Sequence, residues 1–289
     1  MFAGCATALI TPFKNDGTID EDAYRRLIDF QEENGIDVIV PCGSTGESAT
    51  LSSDEHVRVI EIAVDQAKHA KILAGAGSNS TSEAIILSKH AEDIGADGIL
   101  SISPYYNKPT QEGIYLHYKA IAESTDIPIV VYNVPGRTGS NITSDTMLRM
   151  AEIPGIDAVK EASGNVTQVQ RIIANKPKGF EVLSGDDALT LPLMSLGADG
   201  VISVTANCCP ELMSKMVHYM QRGLNSEALG ISNKLLPLFD ALFVEPNPIP
   251  IKFAMKRLGF GNGIPRLPLT PLSETGQDLL VPVLEKLGL

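Results

Sequence analysis

The sequence predicts an α/β fold: a closed (β/α)8 TIM barrel followed by a C-terminal helical appendage. Three observations lead there. Short apolar runs alternate with amphipathic stretches eight times before about residue 223. The runs are apolar throughout, as parallel strands covered on both faces should be. Four amphipathic stretches end in a glycine two residues before an aspartate that opens the next run: Gly35/Asp37, Gly95/Asp97, Gly155/Asp157 and Gly197/Asp199. Such a glycine supplies a left-handed helix cap, and short αβ loops recur in this architecture.

In chain order, the first strand is Ala6 to Ile10, closed by Thr11-Pro12. A helix starts near Asp20, lines one face with Tyr24, Leu27 and Ile28, and stops at Asn34-Gly35. Val38 to Val40 forms the second strand and opens into Cys42-Gly43-Ser44-Thr45-Gly46-Glu47. Ser52 and Glu55 have capping-box spacing for the next helix, and Ser80 with Glu83 repeats it after the strand Ile72 to Ala74. Further strands are predicted at 98–102, 128–132, 158–160, 181–183 and 200–204. Helices fit near 110–124, 143–152, 165–174 and 186–196, and after Pro210. Residues 1–223 are then the barrel and 224–289 a helical domain. In the latter, Pro237 should kink or end a helix over 226–243, and Glu245 to Pro250 should be irregular. Two further helices should flank Leu267.

Thirty-five acidic residues against 23 basic ones give a net charge of −12. That balance disfavours nucleic acid and anionic membrane as partners, although a local basic cluster could still hold an anionic substrate. No apolar run approaches the roughly 20 residues that span a bilayer. The four cysteines form neither a disulfide framework nor a C-x-x-C motif. Together with an N-terminus lacking signal-peptide character, this predicts a cytoplasmic protein with reduced thiols.

In a barrel of this kind, chemistry sits where strands end. Those ends bring Ser44, Thr45, Tyr105, Tyr106, Tyr132, Arg137, Lys160, Gly185 and Ser203 to one face. Lys160 ends an apolar strand, where an ammonium needs a reason to be. It either pairs with a carboxylate such as Glu161 or is held there to react as a free amine. Neighbours on a strand point to opposite faces, which separates Lys160 from Glu161. At pH 7 only about one free lysine in 2,500 is neutral, and lowering its pKa by about three units corresponds to roughly 4 kcal/mol of desolvation. A neutral amine can capture a ketone as an imine, an electron sink.

Gly43 to Glu47 offers backbone N–H groups and two hydroxyls that could hold a carboxylate, or simply form a turn that caps the next helix. The three tyrosines could relay protons or pack the rim, and Arg137 could grip a carboxylate or be a solvated loop charge. Gly75-Ala76-Gly77 lacks the third glycine of a dinucleotide fingerprint. The five histidines show no metal-ligand pairing, and no metal is expected.

The segments Gly43-Ser44-Thr45-Gly46-Glu47, Tyr132-Asn133-Val134-Pro135-Gly136-Arg137-Thr138-Gly139 and Val159-Lys160-Glu161-Ala162-Ser163-Gly164-Asn165 together resemble the pyruvate-dependent class I aldolases and lyases. Within them the chain is most similar to the dihydrodipicolinate synthase family, from Met1 to Leu289. The resemblance extends to Pro104-Tyr105-Tyr106-Asn107 and Glu245-Pro246-Asn247-Pro248-Ile249-Pro250. It implies a lyase of lysine biosynthesis that condenses pyruvate with L-aspartate-4-semialdehyde, with no cofactor beyond the covalent Schiff base on Lys160. Tyr132, Ser44 and Tyr106 would relay protons, with Tyr106 reaching in from a neighbouring subunit of a homotetramer built from dimers. Thr45 would hold the pyruvate carboxylate, Arg137 that of the semialdehyde, and Gly185 and Ile202 would line the pocket. The resemblance also implies a lysine-binding allosteric site at Ser48, Ala49, His56, Asn79, Glu83 and Tyr105.

The family usually carries threonine where this chain has Ser44, and Ser53 stands where some lysine-inhibited members have histidine. Gly-Ser-Thr-Gly-Glu is common in the sialic-acid lyases, whereas Arg137 favours the synthases. The alternatives are a pyruvate-releasing lyase, acting on N-acetylneuraminate or 2-keto-3-deoxygluconate, and a non-catalytic scaffold.

Overall fold

The structure, a computed structural model, describes residues 1–289. Eight strand–helix units alternate: β1 (Gly4–Ala8), α1 (Glu21–Glu33), β2 (Val38–Val40), α2 (Ser53–Gln66), β3 (Lys71–Gly75), α3 (Thr81–Ile94), β4 (Gly98–Ile102) and α4 (Gln111–Ala122). Then come β5 (Ile129–Asn133), a single turn α5 (Pro135–Thr138), α6 (Ser144–Met150), β6 (Ile156–Glu161), α7 (Val166–Asn175), β7 (Glu181–Ser184), α8 (Thr190–Ser195), β8 (Gly200–Ser203) and α9 (Pro210–Gln221). Three helices complete the chain: α10 (Asn225–Ala241), α11 (Ile249–Arg257) and α12 (Glu274–Leu287).

All strands are parallel, each pairs with the next, and β8 returns to β1, so the barrel is closed. Strand parity separates two cores. Inside the barrel lie Ala6, Val38, Val40, Leu73, Leu100, Val130, Ala158, Leu183 and Ile202. Their neighbours Cys5, Ile39, Ile72, Ile99, Val131, Val159 and Val182 face outward into a larger core under the helices.

The four predicted glycine caps all hold left-handed backbone: Gly35, Gly95, Gly155 and Gly197 have φ of 80°, 91°, 89° and 105°. The aspartates that follow three of them do further work. Asp37, Asp97 and Asp199 accept the backbone N–H of Cys5, Ile72 and Val182, at 2.8, 2.7 and 2.8 Å. Each therefore stitches the foot of its own strand to the preceding one.

Three local expectations change. The first strand runs from Gly4 to Ala8 instead of ending at Ile10. The α10 helix continues past Pro237, because tertiary packing of Leu235, Leu238 and Phe239 overrides the missing N–H. Glu245 to Pro250 is irregular only as far as Pro248. Ile249 and Pro250 open α11, where a proline costs no intrahelical hydrogen bond.

Candidate active site

A cavity of about 160 Å3 opens at the C-terminal mouth of the barrel. It is lined by Ser44, Thr45, Tyr132, Arg137, Lys160 and Gly185, together with Asp186, Val204, Phe243 and Asn247. Lys160 arrives there by parity: it shares the inward face of β6 with Ala158, while Glu161 points out under the helices. The Glu161 carboxylate is bound there by Asn133 Nδ2 at 3.0 Å and by the Ser163 N–H at 2.7 Å, so it is not the partner of Lys160.

Burial at the mouth removes water from the Lys160 ammonium, and its pKa falls to about 7. The Asp187 carboxylate opposes this shift and the Arg137 charge adds to it. The β5–β6 register places Tyr132 opposite Lys160, and Lys160 Nζ lies 4.3 Å from the centroid of the phenol ring. Burial pushes the Tyr132 phenol up to about 12, with the Arg137 charge and hydrogen bonding to Ser44 pulling the other way. Gly185 makes room: a Cβ there would meet Ala162 Cβ at 2.7 Å and two Lys160 carbons at 3.2 Å.

Thr45 and Arg137 are tied together by a residue from the C-terminal segment. Asn247 donates through Nδ2 to Thr45 Oγ1 at 2.9 Å, and its carbonyl accepts from Arg137 Nη2 at 3.0 Å. Thr45 oxygen is thus occupied as an acceptor, which leaves its proton free to donate into the cavity.

Two predicted residues lie elsewhere in this chain. Ile202 is not among the lining residues; it is buried in the inner core, and Val204, two residues on, reaches the rim instead. Tyr106 is 88% exposed, with left-handed backbone (φ 72°), and reaches neither cavity. Its side chain stands in solvent at the surface of this chain.

A second cavity, of about 580 Å3, shares Ser44, Tyr132, Arg137 and Asn247 with the first. Ser48, Ala49, His56, Glu83 and Tyr105 all line it. Asn79 stands behind, donating to the Tyr105 carbonyl at 3.1 Å. The two capping boxes differ here. Ser52 and Glu55 reciprocate fully, but the Glu83 carboxylate turns away from the Ser80 N–H and binds the Ser78 hydroxyl instead.

Asn247, Asp187 and Lys252 were not singled out from the sequence. Asn247 and Lys252 come from α11 and the turn before it, some 200 residues after the loop they touch. For Asn247 the proline-rich segment around it was the one available signal. Asp187 follows the end of β7, is buried, and binds Thr205 N–H and Oγ1, each at 2.8 Å. No group of three histidine, cysteine, aspartate or glutamate side chains is arranged to hold a metal ion. No helix is long and apolar enough to cross a membrane.

Comparison with known proteins gives one answer. The sequence model of the dihydrodipicolinate synthetase family matches residues 1–287. A 4-hydroxy-tetrahydrodipicolinate synthase of Syntrophus aciditrophicus is 52% identical, over 100% of this chain and 99% of the relative. The dihydrodipicolinate synthase of Acinetobacter baumannii, solved in complex with pyruvate, superposes with a TM-score of 0.97 at 45% identity, covering 100% of this chain and 99% of that one. The enzyme of Cyanidioschyzon merolae, solved with lysine bound, has a TM-score of 0.96 at 42% identity, covering 99% and 98%. With a barrel mouth built around a buried lysine and matches of this extent, the chain belongs to the dihydrodipicolinate synthetase family.

Proposed function

We infer that the protein is a lyase that condenses pyruvate with L-aspartate-4-semialdehyde through a Schiff base, on the diaminopimelate route to lysine. The carrying observation is the Lys160 amine, buried at the barrel mouth with a pKa brought down to about 7. In this reading the neutral amine attacks C2 of pyruvate, and the ketone oxygen leaves as water. The protonated imine withdraws electrons, C3 loses a proton, and the resulting enamine attacks the aldehyde carbon. The amine of the second substrate then closes on the imine carbon and releases Lys160.

Tyr132 and Ser44 carry the protons, and Tyr106 of the partner subunit completes the relay. Thr45 donates to the pyruvate carboxylate, and Arg137 takes the carboxylate of the semialdehyde. Gly185 keeps the pocket open around the adduct, and Ile202 supports its floor from the layer below. An arginine at the mouth favours this condensation over the cleavage of sugar keto acids.

Borohydride reduction in the presence of pyruvate should leave a covalent adduct that maps to Lys160. The enzyme should then turn over aspartate-4-semialdehyde, and neither N-acetylneuraminate nor 2-keto-3-deoxygluconate. Failure to trap an adduct would leave a non-catalytic scaffold as the better description.

The same reading places the protein in the cytoplasm as a homotetramer built from dimers, with residues 224–289 as a helical domain on the catalytic barrel. The exposed Tyr106 supports the dimer, because a relay through it needs a second subunit. Sedimentation analysis should give four chains, and Tyr106→Phe should lower turnover without changing that number.

A lysine-binding site is the second reading, favoured by one cavity collecting Ser48, Ala49, His56, Glu83 and Tyr105. The Glu83 carboxylate, freed from its helix cap, would hold the lysine ammonium.

A further inference from the structure

Cys42 and Glu47 bracket the loop that carries Ser44 and Thr45, and both hold left-handed backbone, with φ of 54° and 57°. Neither is glycine, so each conformation persists only because its surroundings over-determine it. For Glu47 the constraint is visible. Its side chain is buried, one carboxylate oxygen binds the Lys252 ammonium on α11, and the other accepts the Arg266 N–H at 2.8 Å. Lys252 Nζ in turn sits 3.9 Å from the centroid of the Phe13 ring.

Lys252 lies five residues after Asn247, which binds Thr45 and Arg137 as described. The C-terminal segment therefore grips the loop twice, once through a charge pair and once through an amide. A buried ion pair is a weak source of stability, because desolvation offsets its attraction. What it fixes well is relative position.

We propose that Glu47, through its pair with Lys252, is a positioning residue that registers residues 245–252 against the Gly43–Glu47 loop. It thereby aims the Thr45 hydroxyl and the Arg137 guanidinium at the substrate carboxylates. The inference rests on the reading of this cavity as a pyruvate site. It assigns the C-terminal segment an indirect part in substrate binding, through a glutamate that touches no substrate.

The test compares Glu47→Gln, Asn247→Ala, their combination, and the double variant Glu47→Gln/Lys252→Met, which leaves no buried charge alone. Glu47→Gln should raise KM for pyruvate about tenfold, with kcat at saturation changed by less than about threefold. The Glu47→Gln/Lys252→Met variant should recover thermal stability while keeping the raised KM. Adding Glu47→Gln to Asn247→Ala should raise KM by less than about twofold further, because both act on the same hydroxyl.

Wild-type KM in Glu47→Gln and in the double variant, whatever their melting temperatures, would make the pair purely structural. Effects of Glu47→Gln and Asn247→Ala that multiply in full would also overturn the proposal. Should Glu47→Gln fail to fold, the double variant with and without Asn247→Ala makes the same comparison. Wild-type enzyme that forms no reducible pyruvate adduct would sink the underlying reading. Normal trapping with unchanged KM in the variants would sink this inference alone.

Discussion

Lys160 and Tyr132 face each other in register across β6 and β5, with the Lys160 Nζ 4.3 Å from the centroid of the Tyr132 ring. The ring covers the amine from water on one side, and its hydroxyl reaches toward the Ser44 loop. One strand pairing thus sets a desolvated amine beside a phenol.

Replacing Lys160 with Met should abolish the reducible adduct and lower kcat by more than about a thousandfold. The same change should raise the melting temperature. A lysine with a folded pKa of about 7 against an unfolded value of 10.5 disfavours folding where it must lose or bury its proton. Between those two pH values the unfolded chain binds more protons, so wild-type stability rises with pH across that window. Calorimetry should show that rise in the wild type and its loss in the variant.

Removing the Tyr132 hydroxyl with Phe should reduce kcat by about a hundredfold or more, with pyruvate trapping slowed in parallel. Ser44→Ala should cost about tenfold, and Ser44→Thr should stay within about threefold of the wild type, because the relay needs the hydroxyl and tolerates the methyl. Steady-state kinetics on the three variants would check the series. A Ser44→Ala enzyme with full activity would remove Ser44 from the relay.

The initial rate of pyruvate trapping should climb as pH rises through about 7, as Lys160 loses its proton. The Asp187 carboxylate holds that proton on, so Asp187→Asn should shift the midpoint down and speed trapping at pH 6 a few-fold. The Arg137 charge drives the proton off, so Arg137→Met should shift the midpoint up. Stopped-flow or quench trapping across pH 5.5–8.5 reads both shifts, and opposite signs would refute the electrostatic account.

Glu55 is held down to about 2, chiefly by its two hydrogen bonds to the Arg266 guanidinium, at 2.6 and 2.7 Å. Both side chains keep some solvent access, 30% and 22%, which screens the pair. Its stabilisation should be complete above the unfolded carboxylate value and lost as pH falls toward 2. Glu55→Gln should therefore cost about 1 kcal/mol at pH 7 and close to nothing at pH 2. Urea unfolding at several pH values measures the difference.

Free lysine should inhibit the condensation, and Glu83→Gln should weaken that inhibition about tenfold while leaving pyruvate trapping intact. An inhibition assay paired with borohydride trapping separates the two effects.

Hydrophobic periodicity and glycine caps determined the barrel, because parallel strands buried on both faces and left-handed helix ends leave local marks. Strand parity likewise separates Lys160 from Glu161 on local grounds alone. Local sequence could not reveal that Asn247 would bind Thr45, or Lys252 would bind Glu47. Those contacts join residues more than 200 positions apart, and only the docking of α11 onto the barrel mouth brings them together. The pKa of Lys160 was open for a related reason. A strand end places a lysine, but desolvation depends on every element packed around it, and only the closed fold sets that.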